Sequence, residues 1–140
     1  MKYIYETRVY YADTDAYGVV WHGTYLRWME KGRVEFCREL GLDLTEMKTA
    51  DVLLPVTSMN VRYKASAKLD EALTVETYID KHTTFSVSFK QFIKSKESGK
   101  VYIEANFDVV AVNSQGKLYR RMPEKVAEKI ERGLECPECV

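Results

Sequence analysis

The feature that most limits how this chain can fold is a change of hydrophobic period. Over residues 24–40, TYLRWMEKGRVEFCREL, the repeat is helical: Tyr25, Met29, Gly32, Phe36 and Leu40 share one stripe, flanked by Leu26, Arg33 and Cys37. Beyond Pro55 the repeat falls to two. Val101, Ile103, Ala105, Phe107, Val109 and Ala111 give the cleanest alternation, over 101–112. Leu73, Val75, Thr77 and Ile79 alternate over 73–80, and Phe85, Val87, Phe89, Gln91 and Ile93 share a face over 84–94. Residues 56–63 form a weaker strand pattern with Met59, Val61 and Tyr63 on one side. The chain must therefore lay one long helix against a sheet.

The remaining elements follow from local chemistry. Residues 3–11, YIYETRVYY, are rich in β-branched and aromatic side chains and read as a strand, followed by a loop over 12–23. Thr24 is the expected N-cap of the helix and Gly41 its C-terminal stop. Lys31 and Glu35 are spaced as an i,i+4 pair. Gly32 sits mid-helix, where glycine costs about 1 kcal/mol against alanine; close approach of a sheet would explain it, and a chance substitution is the alternative. Glu97-Ser98-Gly99-Lys100 and Asn113-Ser114-Gln115-Gly116 have hairpin turn chemistry, and the short link from 84–94 to 101–112 forces an antiparallel pair. Pro123 opens a last helix, to about Arg132. The expected class is α+β: a long central helix wrapped by a mostly antiparallel five-stranded sheet, with a short C-terminal helix, in a single domain spanning 1–140. Sheet edges need protection, and homo-oligomerisation supplies it.

Composition removes several function classes. Lys plus Arg equals Asp plus Glu, 21 against 21, so charge gives no reason to expect nucleic acid. Apolar runs are far shorter than a membrane span, and the N-terminus lacks the apolar core of a signal peptide, so a cytoplasmic protein is expected. Cys37 reads as core. Cys136 and Cys139 form one Cys-x-x-Cys pair, too few ligands for a structural zinc site, so no metal is expected.

Chemistry concentrates in DTDAYGVVWHGTY, Asp13 to Tyr25. Gly18 permits a sharp turn between Asp15 and Val19-Val20-Trp21. The first turn of a helix near His22 to Leu26 carries backbone N–H groups without helical partners, a positive pole that stabilises an oxyanion. A carboxylate beside it serves as nucleophile or general base. Together they suit attack on an ester or thioester. Each residue also has an ordinary role. Aspartates cap turns, a lone histidine sits in a hydrogen bond, Tyr10 and Tyr11 pack in a strand, and Glu30 and Glu35 are solvated. Asp15 and His22 are seven positions apart; only the fold brings them together.

Residues Arg8 to Glu30, RVYYADTDAYGVVWHGTYLRWME, resemble the opening motif of the hotdog-fold acyl-CoA thioesterases. The match is to the branch of 4-hydroxybenzoyl-CoA thioesterase and the Tol–Pal-associated acyl-CoA thioesterase. D-x-D-x-x-G-V-V-x-H followed by a tyrosine carries it, and the later strand order agrees. The resemblance implies acyl-CoA hydrolysis to a carboxylic acid and CoA, in a homodimer or homotetramer with active sites at the dimer interface. It implies no cofactor, since CoA belongs to the substrate, and an acyl carrier protein is a second substrate source. Asp15 maps onto the catalytic carboxylate and Asp13 onto a structural one. His22 maps onto the position whose backbone N–H polarises the thioester carbonyl. Tyr11, Tyr17, Gly23 and Thr24 are the substrate-contact candidates. Tyr17 departs from the small residue many relatives carry, which bears on acyl size. Arg62, Lys64, Lys90, Arg120 and Arg121 are candidates for CoA phosphates by charge alone.

Two rivals differ in chemistry. Hotdog dehydratases and hydratases pair histidine with a helix-borne acid; here the aspartate precedes the histidine in a loop. A non-catalytic module would bind acyl-CoA or acyl carrier protein without releasing thiol.

Overall fold

A computed structural model describes residues 1–134. The elements run β1 (Lys2–Arg8), α1 (His22–Glu39), α2 (Leu44–Ala50), β2 (Val56–Tyr63), β3 (Ala72–His82), β4 (Ser86–Ser95), β5 (Val101–Val110) and α3 (Glu124–Leu134). The strands form one five-stranded sheet in the order β1-β3-β4-β5-β2, every neighbouring pair antiparallel. The α+β expectation of one long helix, a five-stranded sheet and a C-terminal helix is met. Cys136 and Cys139 lie outside the described residues.

The period-two pattern becomes a two-faced sheet. In β4, Val87, Phe89, Gln91 and Ile93 are buried, and in β5 Ile103, Ala105, Phe107 and Val109 join them. Helix α1 crosses this face with Tyr25, Met29, Gly32 and Phe36 buried. Phe36 meets Phe89 edge-on at 6.2 Å between centroids. Gly32 is the point of closest approach: a Cβ there would stand 2.6 Å from Thr77 Oγ1 and 3.0 Å from Gln91 Nε2. The glycine thus trades helix propensity for a polar seam. Fully buried Gln91 donates to Met29 O (2.8 Å) and Thr77 Oγ1 (2.7 Å) and accepts from Arg33 Nη1 (2.9 Å). A buried amide satisfied on both ends fixes the helix against the sheet without leaving a polar orphan.

Four local expectations need correction. The first strand stops at Arg8; Asp13 Oδ2 accepts the Tyr10 amide at 2.8 Å and folds Tyr11–Asp13 into a single 3₁₀ turn. Tyr10 and Tyr11 are exposed rather than packed in a strand. Helix α1 starts at His22, with Trp21 as the N-cap in place of Thr24. Thr24 lies buried inside the first turn, its hydroxyl on Asp13 O at 3.2 Å. The short α2 is additional; Asp43 Oδ1 caps it by accepting the Glu46 amide at 2.8 Å. Lys31 sits over the Tyr5 ring, 4.9 Å from its centroid, and Glu35 pairs with Arg38 instead.

Of the two edge strands, β1 buries Tyr5 and half-buries Tyr3. β2 is exposed along almost its whole length, with apolar Val56, Met59 and Tyr63 open to solvent.

Candidate active site

The loop before α1 is a tight, hydrogen-bonded structure. Thr14 and Val20 form an antiparallel bridge, the Asp15 amide donates to Val19 O (2.9 Å), and the Gly18 amide donates to Asp15 O (3.0 Å). Gly18 closes the turn at φ +78°, a conformation other L-residues rarely adopt. The strip is anchored outside itself by Val20 N on Ala67 O (3.0 Å), and back onto its start by Trp21 N on Asp13 O (2.9 Å). Sequence-local pairing therefore places Asp13 at the opening of α1 and Asp15 on the strip leading into it, opposite Val19.

Within this frame both aspartates do local work. Asp13 holds Tyr10, as above, and its carbonyl receives Trp21 and Thr24. Asp15 Oδ1 accepts the Tyr17 amide at 2.8 Å, while Oδ2 takes no hydrogen bond from the described residues. The turn role and a chemical role are thus compatible: one oxygen orients the carboxylate and the other stays open. The half-buried Asp15 is also felt at α1. The Tyr25 hydroxyl is pushed above the ordinary tyrosine value chiefly by burial, with the Ala67 amide opposing and Glu71, Tyr63 and Asp15 adding to the rise.

The opening of α1 is unusual in its cap. Trp21 offers no side-chain acceptor, and no acidic residue stands in the first turn. The Thr24 amide turns back to Trp21 O at 2.9 Å. The amides of His22 and Gly23 find no acceptor among the described residues. Serine, threonine or aspartate normally satisfies such donors; here they are left with the positive helix end. Gly23 has a structural reason as well: a Cβ would fall 2.3 Å from the Trp21 ring, which folds over the first turn. The exposed His22 ring stands beside it, 5.0 Å between centroids.

His22 and Gly23 open α1, and Asp15 stands on the strip that leads into it, opposite Val19; Asp15 and His22 share no hydrogen bond. Tyr11 and Tyr17 are 83% and 90% exposed, on the open side of the loop. Thr24 contributes its place in the first turn, its side chain being spent on Asp13. Among the phosphate candidates, Lys64 and Lys90 are both engaged by Glu104, at 3.1 and 3.0 Å, and Arg62 is exposed. Glu104 is correspondingly held below the usual carboxylate value, by Lys90 first and then Lys64. Among the described residues no cluster of three or more His, Cys, Asp or Glu suits a metal ion.

Two residues at the opening of α1 have little signal in the sequence. Trp21 looked like part of an apolar run and is the cap. Tyr63, at the end of the weakest strand, donates its hydroxyl to His22 O at 3.2 Å and meets the Tyr25 ring edge-on. Its only signal was an aromatic residue sharing one side of that strand with Met59 and Val61.

Comparison with known proteins covers most of the chain. A family model described as the thioesterase-like superfamily matches residues 9–130. An acyl-CoA thioester hydrolase of Escherichia coli, YbgC, is 33% identical over 125 residues, covering 89% of this chain and 92% of its own. The DHNA-CoA thioesterase of Staphylococcus aureus superposes with a TM-score of 0.82 at 25% identity, covering 94% of this chain and 91% of that one. Another Staphylococcus aureus protein, solved in complex with CoA, shares the fold at a TM-score of 0.89 and 15% identity, covering 96% and 85%.

Proposed function

The chain belongs to the thioesterase-like superfamily, and on that premise we propose that Asp15 and the opening amides of α1 act on one thioester carbonyl. The protein is a hotdog-fold acyl-CoA thioesterase: it hydrolyses an acyl-CoA to a carboxylic acid and free CoA. The observation that carries the site assignment is the open helix start. The His22 and Gly23 amides have no acceptor among the described residues, and a carboxylate with one free oxygen is held on the turn that leads into them.

In this reading the thioester oxygen accepts hydrogen bonds from the His22 and Gly23 amides. Negative charge that develops there meets fixed dipoles that need no reorganisation. Asp15 acts by one of two balanced routes. As nucleophile, its free oxygen bonds to the thioester carbon, the C–S bond breaks, and CoA leaves as thiolate. Water then cleaves the mixed anhydride. As general base, it takes a proton from water, hydroxide adds to the carbon, and the proton passes to the departing sulfur. With water attacking the Asp15 carboxyl carbon of the anhydride and expelling the acyl carboxylate, a single turnover in ¹⁸O-water leaves label in Asp15; on the general-base route the label goes to the product acid alone. The loop position of Asp15 favours hydrolysis over the dehydratase reading, which needs an acid on the helix.

The exposed β2 edge supports assembly. We place a second copy against it, so that Val56, Met59 and Tyr63 are covered and the site, beside Tyr63, lies at the interface. A homodimer is the minimal form and a homotetramer its doubling. No helix among the described residues is long and apolar enough to cross a membrane, and we place the enzyme in the cytoplasm, acting on acyl-CoA or on acyl carrier protein thioesters.

Asp15→Asn tests the assignment. Thiol release should fall at least about a hundredfold, with unchanged melting temperature and oligomeric state. Near-normal turnover would remove Asp15 from the mechanism, and water addition to crotonyl-CoA without thiol release would favour the hydratase.

A further inference from the structure

Beyond the reacting end, α1 borders a second feature. A cavity of about 320 Å³ lies against its middle, walled by α1, α2, the approach to β2, and the inner face of β4 and β5. Leu44, Met47, Val56 and Phe89 give it a mostly apolar lining. Arg33 is the exception. Its guanidinium lies over the Phe107 ring, 3.9 Å from the centroid, and Nη1 donates to Gln91 Oε1 at 2.9 Å. Gln91 is itself locked onto Met29 O and Thr77, so the guanidinium cannot swing away to water without breaking the seam. No carboxylate of the described residues lies within ion-pair distance of Arg33. Burial pulls its pKa down to about 10, with Glu30 opposing the shift. A guanidinium has five N–H donors, and one hydrogen bond is accounted for. Arg33 lines the cavity, and an apolar occupant would strip water from its remaining donors and return nothing.

The cavity is in line with the proposed active site. Residues 22, 26, 30, 33 and 37 fall on one stripe of an α-helix. Glu30, Arg33 and Cys37 line the cavity, while His22 opens the helix. Strand β2 runs alongside in the opposite sense, its Tyr63 hydroxyl at His22 O and its Val56 in the cavity wall. At about 1.5 Å per residue, Glu30 lies about 12 Å and Arg33 about 16 Å beyond His22. An extended chain advances roughly 3.3–3.6 Å for every three bonds. A benzoyl ring falls short of this distance, and a chain of roughly ten to fourteen carbons spans it.

We infer that this cavity receives the far end of the acyl group, and that its preferred occupant is a medium-length chain bearing an uncharged oxygen acceptor, a hydroxyl or keto group, bonded to Arg33. The inference rests on the thioesterase reading and names its substrate class. Charge decides between acceptors. Glu30 and Asp43 share the lining with Arg33, and Glu30 is felt at its guanidinium, so a terminal carboxylate would add a third negative charge to the cavity. A neutral oxygen pairs the donors without that repulsion, and a bare alkyl end leaves them unpaired.

The test follows free thiol from benzoyl-, dodecanoyl-, ω-hydroxydodecanoyl- and dodecanedioyl-CoA. The wild-type chain should favour the ω-hydroxy substrate over the plain chain by about tenfold in kcat/KM, equivalent to about 1.4 kcal/mol. In Arg33→Met that preference should collapse to within about twofold, through KM rather than kcat, and Arg33→Lys should restore part of it. Leu44→Trp, an exposed change that fills the cavity mouth, should shift the preference to shorter chains and keeps the inference testable if Arg33→Met fails to fold. Equal use of plain and hydroxylated chains, a preference that survives in Arg33→Met, or best turnover of the benzoyl or dicarboxylic substrate would overturn it. So would a change of oligomeric state in Leu44→Trp without a change in chain preference, which would make the cavity a subunit contact. If no thioester is cleaved, the thioesterase reading has failed instead. Calorimetry with a hydroxyalkyl-CoA thioether then decides the cavity question, an Arg33-dependent affinity supporting it and equal affinity for the plain alkyl thioether refuting it.

Discussion

The two ends of α1 are treated in opposite ways. At the C-terminal end the Gly41 amide, at φ +82°, donates to Arg38 O (2.9 Å) and the Leu42 amide to Cys37 O (2.8 Å). Lys129 Nζ donates to Gly41 O (3.0 Å) and Arg132 Nη2 to Leu40 O (3.3 Å), so two cations from α3 complete a negative helix end. At the N-terminal end an apolar tryptophan stands at the cap and two amides are left open. One terminus is finished for stability. The other is left unfinished, with Asp15 on the turn that leads into it. Donors already paired with a cap would be unavailable to a substrate oxygen, so the proposed site requires the incomplete end.

The sharpest way to break this contrast is to finish the open end. Trp21→Asp supplies a side chain that accepts the first-turn amides. Stability should rise by about 1 kcal/mol, while kcat should fall by about a hundredfold as the oxyanion donors are occupied and a negative charge faces the developing one. Urea unfolding and thiol release on the same preparation measure both. A rise in stability with kcat intact would mean that those amides do not bind the thioester oxygen.

How much of the contrast was visible in the sequence differs between the two ends. Gly41 after a periodic run is a strong stop signal because only the left-handed conformation demands it, and the helix does end there. The N-terminal end defeats the same reasoning. Thr24 has the right chemistry for a cap, yet the helix begins two residues earlier, because Trp21 N and the Thr24 hydroxyl both bind Asp13 O. That carbonyl is placed by the Tyr10–Asp13 turn, which strand propensity at Tyr10 and Tyr11 concealed. Alternation located β3, β4 and β5 because burial on one face of a sheet imposes period two. The close approach at Gly32 was legible as a breach of propensity. The Arg33–Gln91 bond joins residues 58 positions apart and has no local signature. The α2 cap, Asp43 with Glu46 three residues on, was readable as a helix start; a seven-residue helix has too few turns for its periodicity to show.

A smaller effect concerns the buried end alone. Cys37 lies in the C-terminal half of α1, and burial pushes its thiol up to about 11, with Arg33 opposing. The unfolded thiol ionises near 9, so the stability gained by keeping it neutral is fully present below pH 9. It is lost as the pH rises from about 9 to about 11, at most about 2–3 kcal/mol in all. Tyr25, and Tyr102 at about 12, are also raised, and they steepen the loss at higher pH. Cys37→Ala should flatten the urea midpoint between pH 8.5 and about 10; an unaltered slope would assign the alkaline loss to the tyrosines.

Gly41→Ala comes next. No atom crowds the site, since an added Cβ would meet only the Lys129 side chain at 3.6 Å. The cost is the positive φ itself, about 1–2 kcal/mol, and kcat/KM should not move. A loss of activity larger than the loss of folded protein would show that the two ends are coupled through the helix rather than specialised.

The weakest contrast is carried by Lys129, which also approaches Glu46 at 3.8 Å. Lys129→Met keeps the aliphatic contact with Gly41 and removes the charge from the helix end. Because the ammonium is only partly buried, its interaction with the helix dipole is worth about 0.5 kcal/mol. That difference from wild type should shrink in about 0.5 M salt, where the screening length falls to a few ångströms. A salt-independent difference would assign the lysine's contribution to its hydrogen bond and packing, leaving the C-terminal end closed by geometry and the N-terminal end alone governed by its field.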